Sequence, residues 1–320
     1  MFTGLILATY RLEGTENTPA RVEIRNAMRT FAPMKNYLSL IKFSHTIFAM
    51  PFAMVGFFIA ATTRSAGFRW QQLALVVLCM VFARSAAMAF NRYLDRNIDA
   101  ANDRTKIREI PSGVITPRSA LLFVVFNGIA FVTTTFFINR PCFFLSPVAL
   151  AVVLGYSYTK RYTWFCHLVL GLGLSLAPVG AYLAVAGQFD WIPVLYAFAV
   201  LLWVAGFDVI YALQDESFDR TQGLFSIPAF FGKERALKIS EWMHLGTAFF
   251  MIMGTRMLLS AAPQTGWMLW VGTALFLGLL GYQHLLVKPH DLSKVNLAFF
   301  TTNGIASLLF GTLTILDLLV

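Results

Sequence analysis

The chain has 320 residues, 58% of them hydrophobic and only 13% charged, with a formal net charge of +9. Ordinary soluble domains carry roughly a quarter of their residues as charges. The composition therefore excludes a soluble globular protein, and the remaining charges are segregated into short loops between long apolar runs.

Residues 1–35 read as a cytoplasmic N-terminal segment. The apolar run in MFTGLILATYRLEGTE is too short for a signal peptide, and Glu13, Glu16 and Glu23 argue against a mitochondrial presequence. From residue 36 to 320 the chain reads as one domain with nine apolar stretches, at 41–62, 71–92, 119–138, 142–159, 163–186, 190–213, 243–261, 267–287 and 297–317. Each approaches the 20 or so residues that span a hydrocarbon core about 30 Å thick. An open sheet cannot satisfy its backbone in lipid, and no alternating strand pattern of a membrane barrel is present. The expected fold is all-α and integral to the membrane, with nine transmembrane helices.

Lysine and arginine positions set the orientation. The N-terminal segment through Lys42 and the loops after the even spans hold 20, whereas the loops after the odd spans hold four: Arg64, Arg69, Arg140 and Arg256. The N-terminus and the even loops are thus expected in the cytoplasm and Val320 outside. Net charge is mostly topology and requires no nucleic-acid partner. Cys79, Cys142 and Cys166 lack CxxC spacing and read as packing residues. His45, His167, His244, His284 and His290 are scattered and read mostly as interfacial residues.

Span 2 ends in NRYLDRNIDA, residues 91 to 100. Asn91, Asp95 and Asp99 at i, i+4 and i+8 share one helical face. Two stacked carboxylates repel unless a cation or water lies between them. A second acidic stretch, FDVIYALQDESFDRTQG at residues 207 to 223, closes span 6 and places Asp208, Asp215 and Asp219 on one face, close to Tyr211. An offset of 116 residues superposes Asp99 on Asp215, and the tripeptide DRT occurs in both copies. A four-span internal repeat follows as an expectation. Solvated helix ends are the plain reading of any single acid. Two clusters at one depth, however, sit where the helix dipole disfavours negative charge, so something positive is expected to compensate them. Mg²⁺ suits an all-oxygen donor set and commonly bridges carboxylates to phosphates.

Basic residues on the same side suit a phosphate ligand. YSYTKRYT, residues 156 to 163, closes span 4 with Tyr156, Lys160 and Arg161. Topology alone accounts for Lys160 and Arg161. Arg84 is different: it lies inside an apolar span, where an arginine requires a polar cavity or partner.

These motifs resemble those of the UbiA superfamily of intramembrane aromatic prenyltransferases. NRYLDRNID matches the pattern NDxxDxxxD, DVIYALQD followed by Asp219 matches the second signature, YSYTKRYT resembles the YxxxKR segment, and IREIPSGVIT resembles the continuation of the first acidic loop. The resemblance covers residues 35 to 320. It implies a UbiA-type bundle around a central cavity open to the cytoplasm and to lipid. Mg²⁺ would be held by Asn91, Asp95 and Asp99 on one side and Asp208, Asp215 and Asp219 on the other, with a polyprenyl diphosphate bound by Tyr156, Lys160 and Arg161. Arg84 would hold the carboxylate of an aromatic acid whose hydroxyl is oriented or deprotonated by Asp208 or Tyr211. The departure is Arg92, which stands where the pattern has an acid. It either assists the diphosphate or points to headgroups, and Asp103 is a candidate compensating acid. RxxxMAFNRYLDR and the run following Tyr156 resemble the 4-hydroxybenzoate branch of the family, which includes menaquinone prenyltransferases of the futalosine route. The alternative reading is a transporter with a cytoplasmic acidic cation site, although its acids would then be expected near the bilayer midplane. A membrane phosphatase would need a histidine near the phosphate, and neither acidic motif contains one.

Overall fold

The computed structural model describes residues 36–37, 39–40, 48–64 and 67–320. The expected N-terminal segment and residues 41–47 of span 1, His45 among them, lie outside these residues. Eleven α-helices follow one another: α1 (Met50–Thr63), α2 (Trp70–Ala101), α3 (Pro117–Phe136), α4 (Arg140–Thr159), α5 (Cys166–Ala186), α6 (Trp191–Ala212), α7 (Glu216–Thr221), α8 (Ile227–Phe231), α9 (Lys233–Ala261), α10 (Trp267–Leu286) and α11 (Asn303–Leu319). No strand occurs among the described residues.

Seven of the nine expected spans are helical segments long and apolar enough to cross a membrane. The other two are also helical. α1 has 14 described residues, and α9 begins ten residues before the expected 243–261 with a charged turn, KERALK. The molecule is a multi-pass membrane bundle in which apolar side chains face outward in large numbers, among them Phe126, Phe144, Trp242 and Leu285.

Without water to drive apolar faces together, the helices are held by close backbone approach and polar contacts. A Cβ at Gly56 of α1 would lie 2.2 Å from the carbonyl oxygen of Pro178 in α5, and one at Gly171 of α5 equally close to the Leu201 carbonyl in α6. Neither neighbour is a movable side chain, so only glycine fits. The largest buried cluster among the described residues joins α1, α6, α9, α10 and α11 through Phe52, Trp203, Met251, Phe276 and Phe310. Phe52 stacks on Phe310 with ring centroids 5.3 Å apart, which fixes α1 against α11.

α2 has 32 residues, about 48 Å at 1.5 Å per residue. That exceeds a hydrocarbon core, so one end must project, and it is the last three turns that carry Asn91, Asp95 and Asp99. α6 stops at Ala212, earlier than a continuous helix through Asp219 would require. A 3₁₀ turn, Leu213–Asp215, intervenes before α7. The second acid set is therefore not on one unbroken helical face, because the tighter turn advances Asp215 and Asp219 relative to Asp208.

Candidate active site

Both acidic stretches line one cavity of about 290 Å³. Ten of the eleven residues singled out in the sequence line it; the exception is Arg161, which supports Asp95 from behind. A second cavity of about 340 Å³, apolar and set among α2 to α5, meets the first at Arg84, Tyr156, Leu170 and Leu174.

The compensating positive charges expected for the acids are side chains of this chain. Asp95, 2% exposed, accepts from Lys160 Nζ at 2.5 Å and from an Arg161 nitrogen at 2.8 Å, while Asn91 Nδ2 donates to it at 3.2 Å. Arg161 also donates to the carbonyls of Leu94 and Ser157, which fixes its fork. Asp99, 4% exposed, accepts from Arg108 at 2.6 Å. Its other oxygen, Oδ2, is buried without a hydrogen-bond partner among the described residues. Each carboxylate of the first motif thus has its own cation, which removes the repulsion that stacking alone would create.

The loop between α2 and α3 supplies two of these cations. Thr105 and Lys106 donate backbone N–H groups to the Asn102 carbonyl, and Ile115 to that of Glu109, so the segment folds back over the helix end. Arg104 grips Asp215 with Nε at 3.1 Å and Nη2 at 2.5 Å, and donates from Nη1 to the Tyr211 hydroxyl at 3.2 Å. Burial opposes its charge, but the Asp215 hydrogen bonds prevail and hold the guanidinium above its ordinary value. Asp103 points the other way, 96% exposed and paired with Lys106, so it does not compensate for Arg92. A hydrogen bond from Lys106 depresses its carboxyl.

Tyr211 is seated on aromatic rings. Phe299 lies 4.2 Å from it, centroid to centroid, in the π-helical turn Leu297–Thr302 that precedes α11. Asn303 holds that turn by donating to the carbonyls of Ala298 and Phe299, and its own oxygen accepts from Trp203 and Gln283 at 2.8 and 2.6 Å.

His167 was not predicted for the site. It lies 3% exposed on the first turn of α5, with Nδ1 2.7 Å from Asp208 Oδ2, and its Nε2 accepts the backbone N–H of Ile227 at 3.2 Å. The available signal was its place in YSYTKRYTWFCH, seven residues after Lys160. The reading of Arg104 and Arg108 as topology likewise concealed their role as counter-ions. Arg92 does not point to headgroups: it is 4% exposed, lines the cavity, and its Nε has no hydrogen-bond partner among the described residues. The Nε of Arg84 is equally unpartnered among the described residues.

Among the described residues no three His, Cys, Asp or Glu side chains form a group that could hold a metal ion. The donor set is nonetheless oxygen-only, suits a hard divalent cation, and includes the unpartnered Asp99 Oδ2. The residues fit an ion held by few carboxylates and completed by ligand oxygens.

Residues 49–305 match the UbiA prenyltransferase family. The 4-hydroxybenzoate octaprenyltransferase of Pseudomonas syringae pv. syringae is 32% identical over 210 residues, 62% of this chain and 71% of the relative. That of Photobacterium profundum is 32% identical over 239 residues, 74% and 81% of the two chains. A UbiA homologue from Aeropyrum pernix has the same architecture, with a TM-score of 0.76 and 31% identity over 85% of this chain and 98% of its own. A UbiA homologue from Archaeoglobus fulgidus bound to GPP and Mg²⁺, 22% identical, shares the fold with a TM-score of 0.70, over 89% and 100% of the chains. With its two acidic motifs facing each other across one cavity of a helical membrane bundle, the chain belongs to the UbiA prenyltransferase family.

Proposed function

We propose that this protein transfers a polyprenyl group from a polyprenyl diphosphate to a hydroxylated aromatic acid in quinone biosynthesis, the acid being 4-hydroxybenzoate or the dihydroxynaphthoate of the futalosine route. One observation carries the reading: an acid- and cation-lined cavity passes, at Arg84 and Tyr156, directly into an apolar one. An amphiphile with an anionic head and a hydrocarbon tail matches that sequence of linings. The acceptor class is supported by the names of the relatives and by Arg84, whose Nε is buried without a hydrogen-bond partner among the described residues and would suit a carboxylate.

The headgroup would exchange partners with the protein. Lys160, Arg104 and Arg108 now neutralise Asp95, Asp215 and Asp99; a diphosphate entering the cavity would take up these cations and free the carboxylates. Asn91, Asp95 and Asp99 on one side, and Asp215 and Asp219 on the other, would then hold Mg²⁺; Asp208, also expected among the ligands, has one oxygen on His167 and is left for the acceptor. When bound, the ion neutralises charge building on the leaving group.

The allylic C–O bond breaks with its electron pair leaving on the diphosphate. An electron-rich ring carbon of the acceptor supplies the pair for the new C–C bond, and the hydrogen on that carbon departs as a proton. The products are prenylated acid and diphosphate. The walls exclude water from the carbocation: Phe207, Leu170 and Leu174 line the charged cavity, and Val153 and Leu176 the apolar one. Asp208 Oδ1 has no partner among the described residues, whereas the Tyr211 hydroxyl accepts from Arg104. Asp208 is therefore the better acceptor for the substrate hydroxyl. The Nε2 of His167 is engaged by the Ile227 N–H, which disfavours the phosphatase reading, because that nitrogen is not free to attack phosphorus. The Lys and Arg distribution supports insertion in a cytoplasmic membrane with the N-terminus inside and Val320 outside.

The test uses purified protein in lipid with polyprenyl diphosphate and Mg²⁺. 4-Hydroxybenzoate and 1,4-dihydroxy-6-naphthoate are offered in parallel, and product is read by mass spectrometry, with Asp95→Ala and Asp215→Ala as controls. Product from one acid, lost with EDTA and in both variants, establishes reaction and acceptor. Intact diphosphate with either acid refutes the proposal.

A further inference from the structure

The catalytic geometry described so far assigns nothing to His167, yet both of its ring nitrogens are committed. A backbone N–H can only donate, so Ile227 requires Nε2 to carry a lone pair. The proton of the neutral ring must then lie on Nδ1, where it donates to Asp208 Oδ2 at 2.7 Å. Ile227 is the first residue of α8, and its N–H is one of the donors a helix start leaves without an internal partner. The histidine thus caps one helix and orients a carboxylate on another. The segment leading into α8 is pinned at the same place: Phe225 donates its N–H to the Lys160 carbonyl at 2.7 Å, and the Cys166 thiol donates to the Phe225 carbonyl at 3.4 Å.

Resting on the reading above, we propose that His167 is a positioning residue, which consumes Oδ2 of Asp208 in a hydrogen bond of fixed direction so that Oδ1 alone faces the acceptor's hydroxyl. A carboxylate free to rotate about its terminal torsion presents either oxygen over a broad range of angles; bonded to a buried, doubly held ring it presents one. His167 does not relay a proton, because receiving one at Nε2 would break the Ile227 contact. It aligns the hydroxyl, whose polarisation raises electron density at the attacking ring carbon. It therefore acts on capture of the carbocation and leaves recognition of the diphosphate to other residues.

The experiment compares His167→Asn, His167→Gln and His167→Leu in lipid nanodiscs. The amide of asparagine falls near Nδ1 and keeps the donor to Asp208; that of glutamine falls near Nε2 and keeps only the Ile227 side. The expected result is kcat for prenyl transfer within about threefold of wild type for Asn. For Gln and Leu, kcat should fall roughly 10- to 100-fold, the loss typical when a group orienting a reacting side chain is removed. The dissociation constant for geranyl diphosphate should be the same in all four proteins. Asn as impaired as Leu, Gln as active as wild type, or equal loss of diphosphate affinity and turnover overturns the proposal.

A readout independent of turnover is the ¹⁵N spectrum of histidine-labelled wild-type protein. It should show His167 with a protonated Nδ1 and a bare Nε2; the opposite tautomer refutes the lock. If wild type transfers no prenyl group to any aromatic acid, the functional reading fails, while this spectrum still decides whether Asp208 is held as described.

Discussion

The two acidic motifs have similar sequences and face one cavity, but they are built differently. In the first, the Asp95 and Asp99 side chains are 3% and 5% exposed, lie on one unbroken helix and are held by Lys160, Arg161 and Arg108. In the second, Asp208 and Asp215 are 24% and 20% exposed, are separated by a 3₁₀ turn, and meet a histidine and an arginine from elsewhere in the chain. Burial raises the cost of an unpaired charge. The first motif is therefore part of what holds the bundle end together, whereas the second is freer to exchange partners.

The sharpest way to break this contrast is to neutralise one acid in each. Asp95→Asn leaves Lys160 and Arg161, both less than a third exposed, without their counter-ion. Removing one partner of a buried pair costs about 3–5 kcal/mol, and the partial exposure of the cations places the expected loss at or below the lower end. Thermal unfolding in detergent should show a clear fall in Tm, together with a rate loss of roughly 10²- to 10³-fold from the missing site electrostatics. Asp215→Asn should match the rate loss with much less change in Tm, because Arg104 is 36% exposed and already near water. Equal destabilisation by both variants would erase the distinction.

How far the sequence anticipated this site depends on the physical scale of each signal. Apolar runs of membrane-spanning length revealed the helices, because lipid imposes that length on any span. The helical spacing of Asn91, Asp95 and Asp99 was legible for the same reason, since α2 is regular throughout. The 3₁₀ turn at Leu213–Asp215 was not, because a single tightened turn leaves no periodic trace. The partners of the acids were also hidden: Arg104 and Asp215 are 111 residues apart, as are no two groups that local spacing can relate. Arg92 was recognisable as a departure from the family pattern, but only burial shows which way it turns.

Arg92 offers a smaller effect on the same contrast. Its side chain is 4% exposed, lines the cavity near Asp99 and Arg108, and has an Nε without a hydrogen-bond partner among the described residues, which adds a cation to the first motif. Arg92→Asp should weaken binding of inorganic pyrophosphate in the presence of EDTA by roughly tenfold, about one charge-assisted hydrogen bond. It should also shift the Mg²⁺ concentration required for half-maximal turnover. Unchanged metal-free binding by calorimetry would mean that Arg92 does not reach the anion.

Arg84→Ala tests the division of substrates at the junction of the two cavities. KM for the aromatic acid should rise about 10- to 100-fold, the range for deleting a charged partner of a carboxylate. Diphosphate affinity should stay within a factor of two or so. A selective rise in diphosphate Kd would instead assign Arg84 to the headgroup.

The smallest effect lies at the opposite end of the bundle, where Arg64 bonds both Asp190 and the Tyr182 hydroxyl, and Asp190 caps α6 by accepting the Ile192 N–H at 3.1 Å. Burial acts to raise the Asp190 pKa, but the Ile192 and Arg64 hydrogen bonds outweigh it, so the carboxyl is held below its ordinary value of 3.8. A depressed carboxylate contributes stability that is complete above its unfolded pKa and is lost as pH falls through the folded one. The contribution should therefore be constant from neutral pH down to about 5, and disappear below 3.8. Because Arg64 is 40% exposed, Asp190→Asn should cost no more than about 1 kcal/mol, with prenyl transfer unchanged. Unfolding midpoints of wild type and variant measured across that range should converge at the acid end. A gap that widens on acidification would mean that Asp190 is not the ionised partner of Arg64. Its lesser effect, beside that of Asp95, would then reflect something other than the exposure of its cation.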